Sequence, residues 1–257
     1  YLLGSGPVDD IVKARLAATV VLYRPDQSSR CGFHVFMVRR ILKSRFMPGA
    51  YVFPGGAVDA ADRGPVAALR VALDEQVVSQ RFRQQLDVTT ALALLHAGLR
   101  ELAEETGLLL PNGQGITPFA HWITPRSEPR RFDTWFLAAP LPDGAVPSHD
   151  DHEVHDSRWV DPGRVIDDYG DGDILLAPPT FHTLWDLSRF GSLDRFLEDA
   201  SQRAVYPVQP QMVRQDGRLC FLLPGDREHP VRQGMPGPTR IVGGPNGGWL
   251  LQEQRAG

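Results

Sequence analysis

The chain has 257 residues, 42% hydrophobic and 23% charged, ordinary proportions for a globular protein and enough for one large domain or one domain with an extension. A formal net charge of −4 gives no general attraction to nucleic acid or to an anionic membrane. The two cysteines, Cys31 and Cys220, form no spaced cluster, which argues against a disulfide framework or a zinc site, and no apolar run approaches the ~20 residues that span a bilayer. No signal peptide is visible in a chain that opens on Tyr1, so the expectation is a cytoplasmic, enzyme-sized protein with neither a nucleic-acid nor a membrane partner.

After a short polar lead, Ala17 to Tyr23 is β-branched and apolar and predicts a strand. Phe33 to Val38 predicts a second, buried on both faces. A basic stretch from Arg39 to Gly49 follows. Ala50 to Phe53 reads as a brief strand stopped by Pro54-Gly55-Gly56, a triplet that predicts a tight turn. Asp87 or Thr89 caps an expected long helix to Glu105, with Gly107 as its stop. Strands are expected at Ala120 to Thr124, Arg131 to Ala138 and Arg158 to Val160, the last after an acidic loop from Asp150 to Ser157. A short helix is expected from Pro162 to Asp168, then helices at Phe181 to Phe190 and Leu193 to Arg203, the latter capped by Ser192. The Pro- and Gly-rich tail keeps strand-like pieces at Arg218 to Leu223 and Gly248 to Gln252. The domain reading is 15–176, with an insertion at about 63–92, and an extension at 177–257 packed on the core.

The chemistry concentrates in the long helix. Positions three and four apart share a helical face, so Glu101, Glu104 and Glu105 project together. Three carboxylates on one turn repel each other unless solvent or a cation relieves them, and hard divalent cations favour oxygen ligands. Taken alone, such a cluster is more often a solvated face. Only Lys13 and Lys43 are lysines, so arginine is the expected phosphate ligand.

Phe53-Pro54-Gly55-Gly56, Asp59, Asp62 and Arg100-Glu101-x-x-Glu104-Glu105-x-Gly107 together resemble the Nudix hydrolase family, whose box reads G-x5-E-x7-R-E-U-x-E-E-x-G-U with U a bulky apolar residue. Gly56 opens the box, and Asp62 stands where its first glutamate is expected. The departure is in spacing: 37 residues separate Asp62 from Arg100, where the family has seven. Residues from Val38 to Asp59 further resemble the branch that cleaves coenzyme A and acyl-CoA, through Arg39 or Arg40, Arg45, Pro48-Gly49 and Asp59; Met47 stands where bacterial members often carry histidine.

The resemblance implies a Nudix α/β/α sandwich with a mixed β-sheet, plus a helical insertion and a C-terminal extension. It implies hydrolysis of a small-molecule diphosphate with Mg²⁺ or Mn²⁺. Glu101 and Glu105 are the best paired metal ligands, Glu104 a third ligand or the group that positions water, and Gly55 the source of a main-chain carbonyl. Arg100 steadies a glutamate of the box. The general base is left between Glu104 and the acidic loop, where Glu153 is the choice. Arg39, Arg40 and Arg45 are candidate phosphate ligands, and Trp135 a candidate stacking ring for adenine. Coenzyme A or acyl-CoA is the leading substrate. ADP-ribose or NADH is the enzymatic alternative, and a non-catalytic ligand-binding regulator the other. A homodimer is expected by analogy with the family.

Overall fold

The computed structural model describes residues 11–41, 47–64, 74–83, 85–110, 115–148, 154–169, 174–244 and 247–255. Its centre is a mixed sheet. Strand β1 (Arg15–Pro25) lies in the middle, parallel to β6 (Phe132–Pro140) and antiparallel to β2 (Phe33–Arg40). Strand β3 (Tyr51–Val52) follows β2, and β5 (Thr117–Ile123) follows β6. Two more strands pair off this path: β4 (Gly55–Ala57) with β1, and β7 (Val154–Val160) with β2.

Period-two alternation splits the strand side chains between two cores. On one face, Ala18, Val20, Phe36, Val38, Trp135 and Leu137 pack against the long helix. On the other, Val21, Tyr23, Phe33, Val35, Met37 and Phe136 pack against the helices that follow β7. The insertion contributes α1 (Glu75–Arg81), capped by Asp74, and the long helix is α2 (Val88–Thr106). The Asp87 carboxylate accepts the Thr90 amide at 2.9 Å and starts α2; Gly107, at φ 69°, ends it in the left-handed conformation. Of the two N-cap candidates, Asp87 and Thr89, the helix uses Asp87, and Gly107 is the stop that the sequence predicts.

Helices α3 (Pro162–Asp168), α4 (Pro178–Ser188) and α5 (Leu193–Gln202) follow. Phe181, Leu184, Leu187 and Phe196 from α4 and α5 fill the second core, so these helices are the outer layer of the sandwich. Strand β8 (Pro207–Val208) then joins the sheet, parallel to β5. The segment from residue 177 thus shares its core with the sheet that precedes it. Beyond β8, β9 (Gln211–Gln215), β10 (Arg218–Leu222), β11 (Arg240–Gly243) and β12 (Trp249–Gln252) form an antiparallel sheet, whose Phe221 and Ile241 reach the same core. Inside it, fully buried Arg240 grips both oxygens of fully buried Asp226, at 2.7 and 2.9 Å.

Two local expectations are corrected. Gly55 and Gly56 do not make a tight turn: they are extended and paired with Thr19 and Ala18 of β1. The acidic loop is also shorter than expected, because β7 begins at Val154 and includes Asp156 and Ser157.

Candidate active site

The last two turns of α2 carry Glu101, Glu104 and Glu105, and β4 lies against them. The Gly55 amide donates to Glu105 Oε2 at 3.2 Å. At Gly56 the missing side chain is the point: a Cβ there would stand 2.3 Å from Glu101 Oε1. The Glu101 carboxylate occupies that space. At Gly55 a Cβ would meet backbone instead, 2.4 Å from the Ala18 carbonyl oxygen. The two glycines are thus required by close approach, one by β1 and the other by a carboxylate.

Arg100 organises the cluster. Its Nε donates to Asp62 Oδ1 and its Nη2 to Asp62 Oδ2, each at 3.0 Å. Nη2 also donates to the Ala57 carbonyl at 3.1 Å, while Nη1 donates to Glu101 at 2.8 Å and Glu104 at 3.0 Å. These contacts use all five N–H groups of the guanidinium. The hydrogen bonds that Arg100 donates to Asp62 come first among the causes that raise the Arg100 pKa above its ordinary value. Asp62 is buried, and its Oδ2 accepts the Asp59 amide at 2.8 Å as well. The shorter side chain at the first-glutamate position is therefore fully engaged.

His96, one turn before Arg100, makes a second tie to the same segment. Its Nδ1 lies 3.0 Å from the Asp62 carbonyl oxygen, which only accepts, so Nδ1 carries the proton. Its Nε2 is buried and has no hydrogen-bond partner among the described residues. The sequence carries a signal that singles out this residue: His96 and Arg100 are four apart on one helical face.

Glu101 and Glu105 converge on the glycine pair, whereas Glu104 is largely exposed and held by Arg100. Oxygen donors of this kind suit a hard divalent cation. Among the described residues, no three His, Cys, Asp or Glu side chains are already gathered in a metal-binding arrangement. Glu101 and Glu105, set against Gly56 and Gly55, are the carboxylates that would hold an ion, with Glu104 kept beside them by Arg100. A cleft of about 280 Å³ elsewhere, lined by Phe82, Arg83, Thr117, Ser201 and Val205 among others, includes none of these glutamates.

The remaining candidates divide. Arg39 is exposed at the end of β2; its Nε donates to the Gly49 carbonyl at 3.2 Å, and its guanidinium carbon lies 5.7 Å from the centre of the Tyr51 ring. Arg40 is half-buried, its amide bonded to the Ala50 carbonyl at 3.0 Å. Arg45 and Glu153 lie outside the described residues, as do Asp150, Asp151 and His152. Trp135 is a correction. It is buried in the core under α2, stacked on His121 at 4.3 Å and meeting Phe82 of the insertion edge-on at 5.3 Å. Its ring has no face left for adenine. The alternation of β6 puts it on the α2 face, where burying its large apolar area is favourable.

Within an α/β/α sandwich, one helix thus sets its carboxylates against a glycine pair, with Arg100 holding two of the three, an arrangement suited to a hard divalent cation. Two family models match, the NUDT19 Nudix domain over residues 11–115 and the NUDIX domain over residues 91–176. Together the two matches span residues 11–176, and the chain carries a Nudix domain there. It is 23% identical to the acyl-coenzyme A diphosphatase NUDT19 of Xenopus laevis, over 86% of this chain and 78% of the relative. It is 26% identical to the putative nudix hydrolase 7 of Caenorhabditis elegans, over 88% of this chain and 78% of that one. Among solved structures it resembles a NUDIX hydrolase from Alicyclobacillus acidocaldarius, with a TM-score of 0.62 and 23% identity, covering 77% of this chain and all of the other. That likeness concerns the fold.

Proposed function

We propose that the chain hydrolyses the diphosphate of coenzyme A or acyl-CoA in a reaction that depends on Mg²⁺ or Mn²⁺, giving adenosine 3′,5′-bisphosphate and 4′-phosphopantetheine. The observation that carries the reading is the Asp62–Arg100 pair, which closes the interrupted box and leaves Glu101 and Glu105 against Gly56 and Gly55. Support for the substrate comes from the names of the relatives, acyl-coenzyme A diphosphatases from Xenopus laevis, Gallus gallus and Homo sapiens.

In this reading Glu101 and Glu105 hold the cation, with Glu104 and the Gly55 carbonyl as further ligands. The bound ion neutralises diphosphate charge and lowers the pKa of the attacking water. Arg100 does not touch substrate: it fixes the carboxylates of Glu101 and Glu104 in direction. Glu153 is the proposed general base and takes the proton of the water. Arg39, Arg40 and Arg45 are proposed phosphate ligands.

The test is a substrate panel of coenzyme A, an acyl-CoA, ADP-ribose, NADH and diadenosine polyphosphates, each with Mg²⁺, Mn²⁺ or chelator. Coenzyme A or acyl-CoA is expected to be cleaved fastest, and chelation to abolish turnover. Preference for ADP-ribose or NADH overturns the substrate assignment. Tight binding of one compound with hydrolysis of none overturns the enzymatic one.

A further inference from the structure

Strands β3, β2 and β7 place Tyr51, Arg39 and Asp156 side by side in register, with Arg39 in the middle. Side chains directly opposite on adjacent strands lie within about 5 Å at their Cβ atoms. The Tyr51 hydroxyl donates to Asp156 Oδ2 at 2.5 Å, which fixes the ring. Two residues along β7, Arg158 returns to the same ring: its guanidinium carbon is 3.9 Å from the ring centre, and its Nη2 donates to the Tyr51 hydroxyl. Arg39 approaches that ring as well.

Two guanidiniums therefore share one buried tyrosine. Among the described residues, the carboxylate paired with Arg158 is Asp156, 3.7 Å away and already bonded to Tyr51. Burial, and next the charge of Arg39, push the Arg158 pKa below its ordinary value. The arrangement is costly as it stands, and an anion beside both cations would relieve it. Arg158 keeps 42% of its side chain exposed, so a solute reaches it. The place is close to the candidate active site: Tyr51 is four residues before Gly55, at most about 13 Å of extended chain.

We infer that Arg158, together with Arg39, forms a subsite for a phosphomonoester of the substrate, set apart from the diphosphate that is cleaved. Tyr51 is the rigid platform and Asp156 the group that orients it. The inference rests on the diphosphatase reading and sharpens it: the substrate carries an extra phosphate, as coenzyme A does on its ribose.

The experiment compares kcat/KM for coenzyme A and 3′-dephospho-coenzyme A in wild type, Arg158→Ala and Arg158→Lys, with thermal unfolding of each variant. Wild type is expected to favour coenzyme A by about 10-fold or more, the effect of one charge-assisted hydrogen bond. In Arg158→Ala the ratio falls to about 1, and in Arg158→Lys part of it is kept. A purely structural loss lowers both substrates together and keeps the ratio, which overturns the inference, as does a wild-type ratio of 1. Calorimetry with adenosine 3′,5′-bisphosphate and AMP reads the subsite without turnover. Tighter bisphosphate binding in wild type but not in Arg158→Ala supports it, and equal binding in wild type overturns it. If neither coenzyme is cleaved, the diphosphatase reading fails, and the calorimetric comparison still decides the subsite.

Discussion

Arg100 grips both carboxylate oxygens of Asp62, a residue 38 positions upstream, with two hydrogen bonds of 3.0 Å. A bidentate pair of this kind fixes direction as well as distance. It brings together the two halves of a motif that the chain separates by an insertion. His96 adds a second tie to the same segment, through the Asp62 carbonyl.

Breaking the tie should cost both stability and activity. Asp62→Ala leaves a partly buried guanidinium with two of its five bonds unmade, a loss of about 3 kcal/mol or more. Turnover should fall further than the folded fraction, because Arg100 no longer holds Glu101 and Glu104 in place. His96→Asn keeps a donor near the position of Nδ1 and is expected to act closer to wild type than His96→Ala. Denaturant melts paired with initial rates check this; equal rates for Asp62→Ala and wild type would remove Asp62 from the site.

The two glycines should respond differently to the same methyl group. Gly55→Ala drives a Cβ into the backbone of β1 and is expected to lose about 1–3 kcal/mol of stability. Gly56→Ala meets the end of a flexible side chain, the Glu101 carboxylate, and displaces it. Its stability loss should be smaller and its loss of turnover larger. The pair of variants, compared by thermal unfolding and rate, separates scaffold from site.

Glu104→Gln and Glu105→Gln should each reduce turnover by orders of magnitude while the protein stays folded. Glu105→Gln should also raise the concentration of Mn²⁺ needed for half-maximal rate, because a ligand charge is lost. Wild-type rates and an unchanged metal response in both variants would sink the metal assignment.

Acid should unfold the protein partly through His182. This side chain is buried between Trp122 and Trp185, with its Nε2 unpartnered among the described residues, and burial lowers its pKa from 6.5 to about 4. The folded value lies below the unfolded one, so the unfolded chain takes the proton first. The stability contribution is therefore complete above pH 6.5 and declines as pH falls toward about 4, at about 1.4 kcal/mol per pH unit. In His182→Phe the slope of stability against pH across this window should be shallower than in wild type. An identical slope would show that His182 does not titrate on unfolding.

What the sequence determined by itself was local and periodic. A start of α2 at Asp87 or Thr89 and its stop at Gly107, the strands β1 and β2, the shared face of Glu101, Glu104 and Glu105, and the two halves of the box all follow from short-range spacing, which sets backbone angles and side-chain faces. What only the tertiary structure decided is which distant pieces meet. Asp62 reaches Arg100 and His96 across the insertion. Gly55 and Gly56 are extended, not turned, because β1 pairs with them and Glu101 fills the missing side-chain space. Trp135, placed by the sequence among the substrate ligands, is buried under α2 against Phe82 of the insertion, and Tyr51, Arg39 and Asp156 become neighbours through strand register. No residue spacing encodes these contacts. They arise because two sheet faces must each bury their apolar side chains, and the order of strands that achieves this fixes which polar groups are left side by side at the edge.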